Sequence, residues 1–412
     1  MPTAPLQQAL EAGELLTGLF WPAGTDFETP GILSWSDENG ALLRLAQLDD
    51  GWPIDFNAKF TVHASLHEFP SDELTLQQAR VTRKLSPDQP SKIASQTVVI
   101  GAHTAPDERW SIAHYRPSDL HEWYPETGMS PPDYSDDSRQ LTFTWRQPDP
   151  LLVPVPGATI TLQPGSVGAH SWSWGPTWQI ETTMRFVVRP DAPLTLDDFW
   201  RRYRSPLLAF VAFAADRPND MAEERFVDLD RKCGISVLHE GRHTFNRDWQ
   251  PNDGHFLFRA ADVTSEIDTI ASWLAIWRQT EPALGYFGEY IQGGSHYSPQ
   301  RFLTLYTAAE EYWRRATGEK GRNLRKLRDR AGISNAITNC DNAALKLIGR
   351  LRDYYAHLGQ PKASPDDTAD GTFESTRRLY VLMQACLLRD CGLDTDKIEE
   401  LIQLHYRSWP VP

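Results

Sequence analysis

The sequence predicts an α+β chain of more than one domain, with a β-rich, sandwich- or barrel-like N-terminal region followed by an all-α helical bundle. Three observations carry this. The 412 residues exceed what one small core serves. Up to about residue 261, short apolar and aromatic runs alternate with Pro, Gly, Asp and Ser at strand-like intervals. Most of the 30 prolines and 15 tryptophans fall there. From residue 262 onward the apolar spacing becomes helical. The expected division is therefore 1–261 and 262–412.

In the first region, "TGLFWPAG" and "GILSWSDENGALLRLAQL" read as strands, with Asp37-Glu38-Asn39-Gly40 as a hairpin turn. "SQTVVIGAHT", "QLTFTWRQP", "ATITLQPG" and "WQIETTMRFVVRP" continue the pattern. One helix interrupts it near 195–215, where Thr195 caps an acidic start that turns apolar. "GISVLHEG", "RHTFNRDW" and "GHFLFRA" are then expected to resume as strands. In the second region, "DVTSEIDTIASWLAIWRQ" is the first helix. The segment 298–318 has a Ser cap, a Pro at its first helical position and a closing Gly. "GRNLRKLRDRAG" is a short basic helix. "CDNAALKLIGRLRDYYAHLG" begins at an Asp or Asn cap and ends at Gly359. "TFESTRRLYVLMQACLLRDCGL" and "DTDKIEELIQLHYRSW" complete the bundle.

Hydrophobic residues make up 40% and charged residues 23%, as in ordinary water-soluble chains. The longest apolar run, 206–215, is about half a membrane span. No Lys or Arg precedes the first apolar residues, so no signal peptide is read and a cytoplasmic location is expected. Cys233, Cys340, Cys386 and Cys391 form no CxxC pair, which points to buried reduced thiols. The formal net charge of -14 argues against nucleic-acid binding by the chain as a whole. Between Arg314 and Lys362, however, 12 Lys and Arg stand against 4 Asp and Glu, a local charge of +8. Salt screens the distant acids within about 8–10 Å, so such a segment can still attract phosphates. A solvated helix face explains the same charges equally well.

Two motifs bear on chemistry. His239-Glu240-Gly241-Arg242-His243 fits HExxH, the zinc-protease pattern, with Glu266 as a conceivable third ligand. That motif works only on a helix, whereas here it follows the strand-like "ISVL" and contains Gly, so a hairpin turn is expected. The other is "RLRDYYAHLG", 350–359. An Arg five residues before a His is weak by itself, and it recurs at Arg109/His114 and Arg116/His121 in a region read as irregular and turn-like. Only the 350–359 copy lies on a strong helix. There, Asp353 and His357 share a face at i, i+4. A carboxylate so placed favours the imidazolium. The helix C-terminus before Gly359 does the same. Arg352 lies about 140° around the axis from His357. Its long side chain can reach a phosphate beside the helix end. A histidine to move a proton and an arginine to stabilise phosphate charge suffice for cleavage by the RNA's own 2'-OH, with no metal or cofactor. An ion pair closing a bundle helix, with the tyrosines as core, fits the local pattern as well.

"RDYYAH" resembles the Arg-(4 to 6 residues)-His signature of HEPN ribonucleases, in which a polar residue commonly follows the Arg. The helix "FLTLYTAAEEYWRR" (302–315) resembles the family helix with an inward acid, for which Glu310 is the best match and Glu311 its rival. A β-rich start with "GLFWPAG" and "PGILSW", a helix ending "SWLAIW", the bundle and the closing "CGLDTDKIEELI" together resemble the ApeA-type antiphage proteins. The resemblance covers most of the chain. It is specific over 298–412 and looser before about residue 190.

This resemblance implies Arg352 and His357 as catalytic residues assisted by Asp353, with Glu310 and Tyr354 supporting. It implies a homodimer or higher homo-oligomer with two motifs facing across a cleft. It implies metal-independent cleavage of host RNA, tRNA in particular, as abortive infection. A phage protein would be the trigger, sensed by the N-terminal region. The chain departs from many relatives at Asp353, where they carry Asn. Arg322, Arg325, Lys326 and Arg328 of the basic helix are the expected RNA backbone contacts. Two rival readings remain: a HEPN bundle without nuclease activity that serves as an RNA- or protein-binding scaffold, and the zinc protease.

Overall fold

The computed structural model describes residues 4–46, 52, 58–83, 91–126, 128, 133–135, 140–142, 146–171, 177–240, 256–293, 298–319, 324–356 and 369–406. It has a β-rich N-terminal part and a helical C-terminal part. The strands are β1 (Leu16–Pro22), β2 (Thr29–Ser36), β3 (Gly40–Leu45), β4 (Phe60–Leu66), β5 (Glu73–Arg83), β6 (Ser91–Ser95) and β7 (Thr97–Ile100). They continue as β8 (Arg109–Trp110), β9 (Ile112–Pro117), β10 (Asp133–Ser135), β11 (Gln140–Thr142), β12 (Leu151–Val155) and β13 (Ala158–Ser171). The last are β14 (Thr177–Pro190), β15 (Leu194–Thr195), β16 (Met221–Asp228) and β17 (Cys233–His239).

Strands β5, β4, β1, β2, β3 and β6 pair in that order, and β6 pairs back onto β5. All these pairings are antiparallel, so the ring closes into a six-stranded barrel without a free edge. Side chains alternate inward along β1, and Phe20, Leu33, Leu43, Val62, Leu74 and Ile93 fill the interior. The β2–β3 hairpin turns at 37–39 as expected. Gly40 closes it with φ +67, where an added Cβ would stand 2.5 Å from the Ser95 carbonyl oxygen. Helix α1 (Ala4–Glu11), unforeseen from the sequence, adds Leu6 and Leu10 to this core.

The first half of β5 also pairs with β7, and the sheet runs on as β7, β17, β16, β9, β14, β13, β12. Helix α2 (Leu120–Trp123) follows β9. The region 109–121 was expected to be irregular. It is instead largely strand, since Ala113 and Tyr115 alternate into the core from β9. After β15, α3 (Leu196–Phe199), a π-turn (Trp200–Arg204) and α4 (Ser205–Ala215) form the helix expected near 195–215, with Thr195 capping Asp198. Helix α4 is apolar all round, as a helix enclosed on all sides must be. It packs both on α2 and on the helical bundle.

The bundle holds α5 (Glu266–Thr280), α6 (Ala283–Gln292), α7 (Pro299–Thr317), α8 (Leu324–Ala331), α9 (Asn335–Thr338), α10 (Asn342–Ala356), α11 (Ala369–Asp390) and α12 (Thr395–His405). Local chemistry sets the boundaries. Ser298 Oγ accepts from the Arg301 N–H at 3.2 Å, Pro299 opens α7, and Gly318 ends it at φ +71. Asp394 caps α12 in the same way. Helices α6 and α9 were not foreseen. "GHFLFRA" is corrected: its described residues form no strand. Leu257 and Phe258 donate their N–H groups to the Ala214 carbonyl at the end of α4, while Phe258 packs against Phe210 and Phe213. Burial against a helix end took the place of a strand partner. "RHTFNRDW" lies outside the described residues. One apolar core includes Phe186 of β14, Phe213 of α4, Trp273 of α5 and Leu382 of α11, and so runs across residue 261 without a break.

Candidate active site

Helix α10 starts where Asp341 Oδ1 accepts from the Ala344 N–H at 2.7 Å. Ala344, Leu345, Ile348 and Leu351 form its buried stripe. That stripe leaves Arg352, Asp353, Tyr354 and Tyr355 half-buried in the last described turn. Arg352 Nη1 stands 2.9 Å from Asp353 Oδ1, and its guanidinium carbon lies 5.8 Å from the ring centre of Tyr306 on α7. The Tyr355 hydroxyl is 2.7 Å from Thr372 Oγ1 on α11, and its ring meets Phe302 of α7 edge-on at 6.1 Å. Tyr354 packs edge-on against Tyr355. These contacts pin the end of α10 between α7 and α11 and hold the guanidinium on a carboxylate and a ring face. His357 and Gly359 lie outside the described residues, and so does the Asp353–His357 pairing.

The contacts Phe302–Tyr355 and Tyr306–Arg352 run in opposite directions along the two helices, so α7 and α10 are antiparallel here. Glu310 shares the Tyr306 face of α7, about 6 Å further from the C-terminal end of α10. It stands beside the middle of α10 rather than its end. Its rival Glu311 pairs with Arg314 and Arg315 at the surface, and the Arg314 guanidinium, with burial opposing and Arg315 adding to it, draws its carboxyl down to about 2.

The basic helix α8 lies elsewhere. Arg328 Nη1 is 3.5 Å from Asn342 Oδ1, at the start of α10 and about 15 Å along that helix from Arg352. Arg328 is also bound to Asp329 and to the Cys340 carbonyl, and Lys326 pairs with Glu319. Arg325 is exposed, and Arg322 lies outside the described residues. The structure thus groups Arg352, Asp353 and Tyr354 at one end of α10 and places α8 at the other.

Sequence reasoning missed a polar hub between the two parts of the chain. Asp216 ends α4 in the left-handed region at φ 52. Its carboxylate accepts from Tyr380 Oη and, at 2.8 Å, from Gln384 Nε2, both on α11. It also meets His405 Nε2 on α12 at 2.6 Å. Tyr406 Oη extends the hub, donating to Gln384 Oε1 at 2.7 Å. A second cluster joins Tyr312 and Arg330 to Asp390 inside the bundle. Cys340, Cys386 and Cys391 are buried, and burial pushes the Cys340 thiol up to about 12.

The HExxH match starts on a strand end. His239 closes β17, Glu240 is in a turn, and His243 lies outside the described residues. The His239 ring packs on Trp200, and its Nδ1 is 2.9 Å from Thr97 Oγ1. Among the described residues, no group of three or more His, Cys, Asp or Glu is placed to hold a metal. Burial, followed by the charge of Arg204, lowers the His239 pKa to about 4. Between its ordinary value and that one, the unfolded chain binds a proton that the folded chain does not. Stability is therefore expected to fall as pH drops through this window, by about 3 kcal/mol at pH 4 for this residue alone. Urea unfolding at pH 7 and pH 4 of wild type and His239→Gln checks it. Equal acid losses in the two proteins would exclude His239 as a source.

A family model described as ApeA N-terminal domain 1 matches residues 16–270, and one described as Apea-like HEPN matches residues 324–397. No curated protein and no solved structure matches. No helix of the described residues is long and apolar enough to cross a membrane.

Proposed function

The chain belongs to the ApeA-like HEPN antiphage family, and on that premise we propose that it is an RNA-cleaving nuclease whose reaction is carried by Arg352 and His357. The observation that carries the reading is the position of Arg352. Its guanidinium is held against Asp353 and the Tyr306 ring at the end of α10, inside the matched HEPN segment. In the reaction, a ribose 2'-oxygen attacks the adjacent phosphorus and loses its proton. The 5'-oxygen leaves and gains one, giving a 2',3'-cyclic phosphate and a 5'-hydroxyl. His357 moves a proton at one of these oxygens, and Arg352 stabilises the charge on the phosphoryl oxygens. Asp353 orients the guanidinium and assists the reaction. The acting form is a homodimer with two α10 ends facing one RNA, the target is host tRNA, and a phage product releases the activity through the N-terminal part.

Purified wild-type and His239→Ala proteins, incubated with total RNA with and without EDTA, test the reading. With phage-infected lysate added as the trigger, RNA loss beyond that caused by the lysate alone is expected in all four samples. Intact RNA with wild-type protein in the presence of phage-infected lysate would favour a binding scaffold instead. Proteolysis abolished by EDTA would favour the metal-protease reading of His239.

A further inference from the structure

The three central strands β14, β9 and β16 have one face in the large core, through Phe186, Tyr115 and Phe226. The opposite face is basic. Register sets Val187 beside His114, His114 beside Arg225 and Arg116 beside Glu223, and Arg185 lies two residues before Val187 on the same face of β14. Arg189 lies one further step along β14. Strand geometry puts neighbours in a row about 5 Å apart, and Arg185 and Arg189 about 13 Å apart. Glu223 is the single acid on this face among the described side chains of the three strands, and Arg116 Nε stands 3.3 Å from it. Val187 and Ile112, 2% and 6% exposed, belong to neither apolar core and form a floor beneath the guanidinium stems. Arg185 Nε and His114 Nδ1 are buried with no hydrogen-bond partner among the described residues. The face carries no Phe, Tyr or Trp among its described residues.

We propose that this sheet face is a second anion site, separate from the end of α10, that holds the phosphodiester backbone of an RNA strand. Four guanidiniums spread over about 13 Å exceed what one phosphate can occupy but match successive phosphates along a chain. A row of strand side chains over an apolar floor suits an extended chain better than a small ligand, which takes a concave cavity. Without large aromatic rings it lacks platforms for stacking bases, so contact is with the backbone and does not depend on sequence. The local field supports this. His114 is held down to about 4 first by burial and then by the charges of Arg185 and Arg225, with Glu223 opposing.

The proposal concerns binding and is tested apart from cleavage. The full chain carrying His357→Ala keeps RNA intact whether or not the α10 site cuts it. Fluorescence anisotropy with a labelled single-stranded RNA of about ten nucleotides reads affinity against salt. Adding Arg189→Gln and Arg225→Gln should weaken binding at least tenfold and flatten the log–log salt slope by about 1.4, two phosphate contacts' worth. Arg189→Lys with Arg225→Lys should keep the slope, which separates lost charge from a damaged fold. The same losses are expected for two unrelated RNA sequences. Wild-type affinity and slope in the double Gln variant would overturn the site. Displacement of the labelled RNA by inorganic pyrophosphate as efficiently as by unlabelled RNA would overturn the assignment to a strand.

Discussion

Alanine at Arg352 should lower the rate of RNA cleavage by about 10³-fold while leaving the chain folded. Removing one donor aimed at developing phosphate charge typically costs this much. The fold should tolerate the change. Arg352 is largely buried, 17% exposed, against a 38% exposed carboxylate and a ring face, so its loss should cost about 1–3 kcal/mol, less than the whole stability of a folded domain. Arg352→Lys keeps the charge but loses the planar fork that grips two oxygens, so it should fall between wild type and alanine. His357→Ala should match Arg352→Ala within about tenfold, and the double variant should lose little more, because two groups acting on one transition state are not additive. Single-turnover cleavage of a labelled tRNA, with urea midpoints as the fold control, gives the comparison. An Arg352→Ala protein that cleaves at the wild-type rate would remove this residue from the reaction.

Much of the helical part could be read in advance because its signals are local. Helix α7 carries its cap, its proline and its closing glycine within one stretch, and α10 begins at the aspartate that caps it. The barrel could be read only as a class. Its closure depends on β6 returning to β5, and no spacing in the sequence encodes that pairing. Leu257 and Phe258 have the look of a strand, but their apolar character serves a helix end instead. The basic helix shows the limit of counting charge along a chain. Its residues are near Arg352 in sequence, yet α8 sits at the far end of α10. The basic sheet face was missed for the converse reason. Arg116, Arg185 and Arg225 are far apart in sequence and converge only through strand register. Asp216 was missed because its partners lie 164 to 189 residues away.

That hub yields the second large expectation. Asp216 is the only described link in which one carboxylate from the N-terminal part receives side chains from both α11 and α12. Asp216→Gly keeps the left-handed backbone that ends α4, because glycine adopts it freely, so the substitution isolates the loss of the carboxylate. It leaves Tyr380, Gln384 and His405 half-satisfied in a buried site, which should cost about 3–5 kcal/mol. Asp216→Asn keeps one acceptor, for Tyr380 and Gln384, but puts an NH2 where the second oxygen met His405, so it should cost less than glycine, and its cost should depend on pH. Burial lowers the His405 pKa, but the hydrogen bond and charge of Asp216 outweigh it, and the net pKa is raised. A raised pKa means that the folded chain holds a proton the unfolded chain has released. The stabilisation is therefore complete below the ordinary histidine value near 6.5 and fades as pH climbs through the raised one. The gap between wild type and Asp216→Asn should be widest near pH 6 and narrow by pH 8.5, as read from urea unfolding. Hydrogen exchange should meanwhile speed up in α12 before it does in α7, since α12 reaches α4 through His405 while α7 is anchored by Phe302, Leu305 and Tyr312 in the apolar core. A gap that stays the same at both pH values would show that charge on His405 contributes nothing, and that the hub holds the two parts together through neutral hydrogen bonds alone.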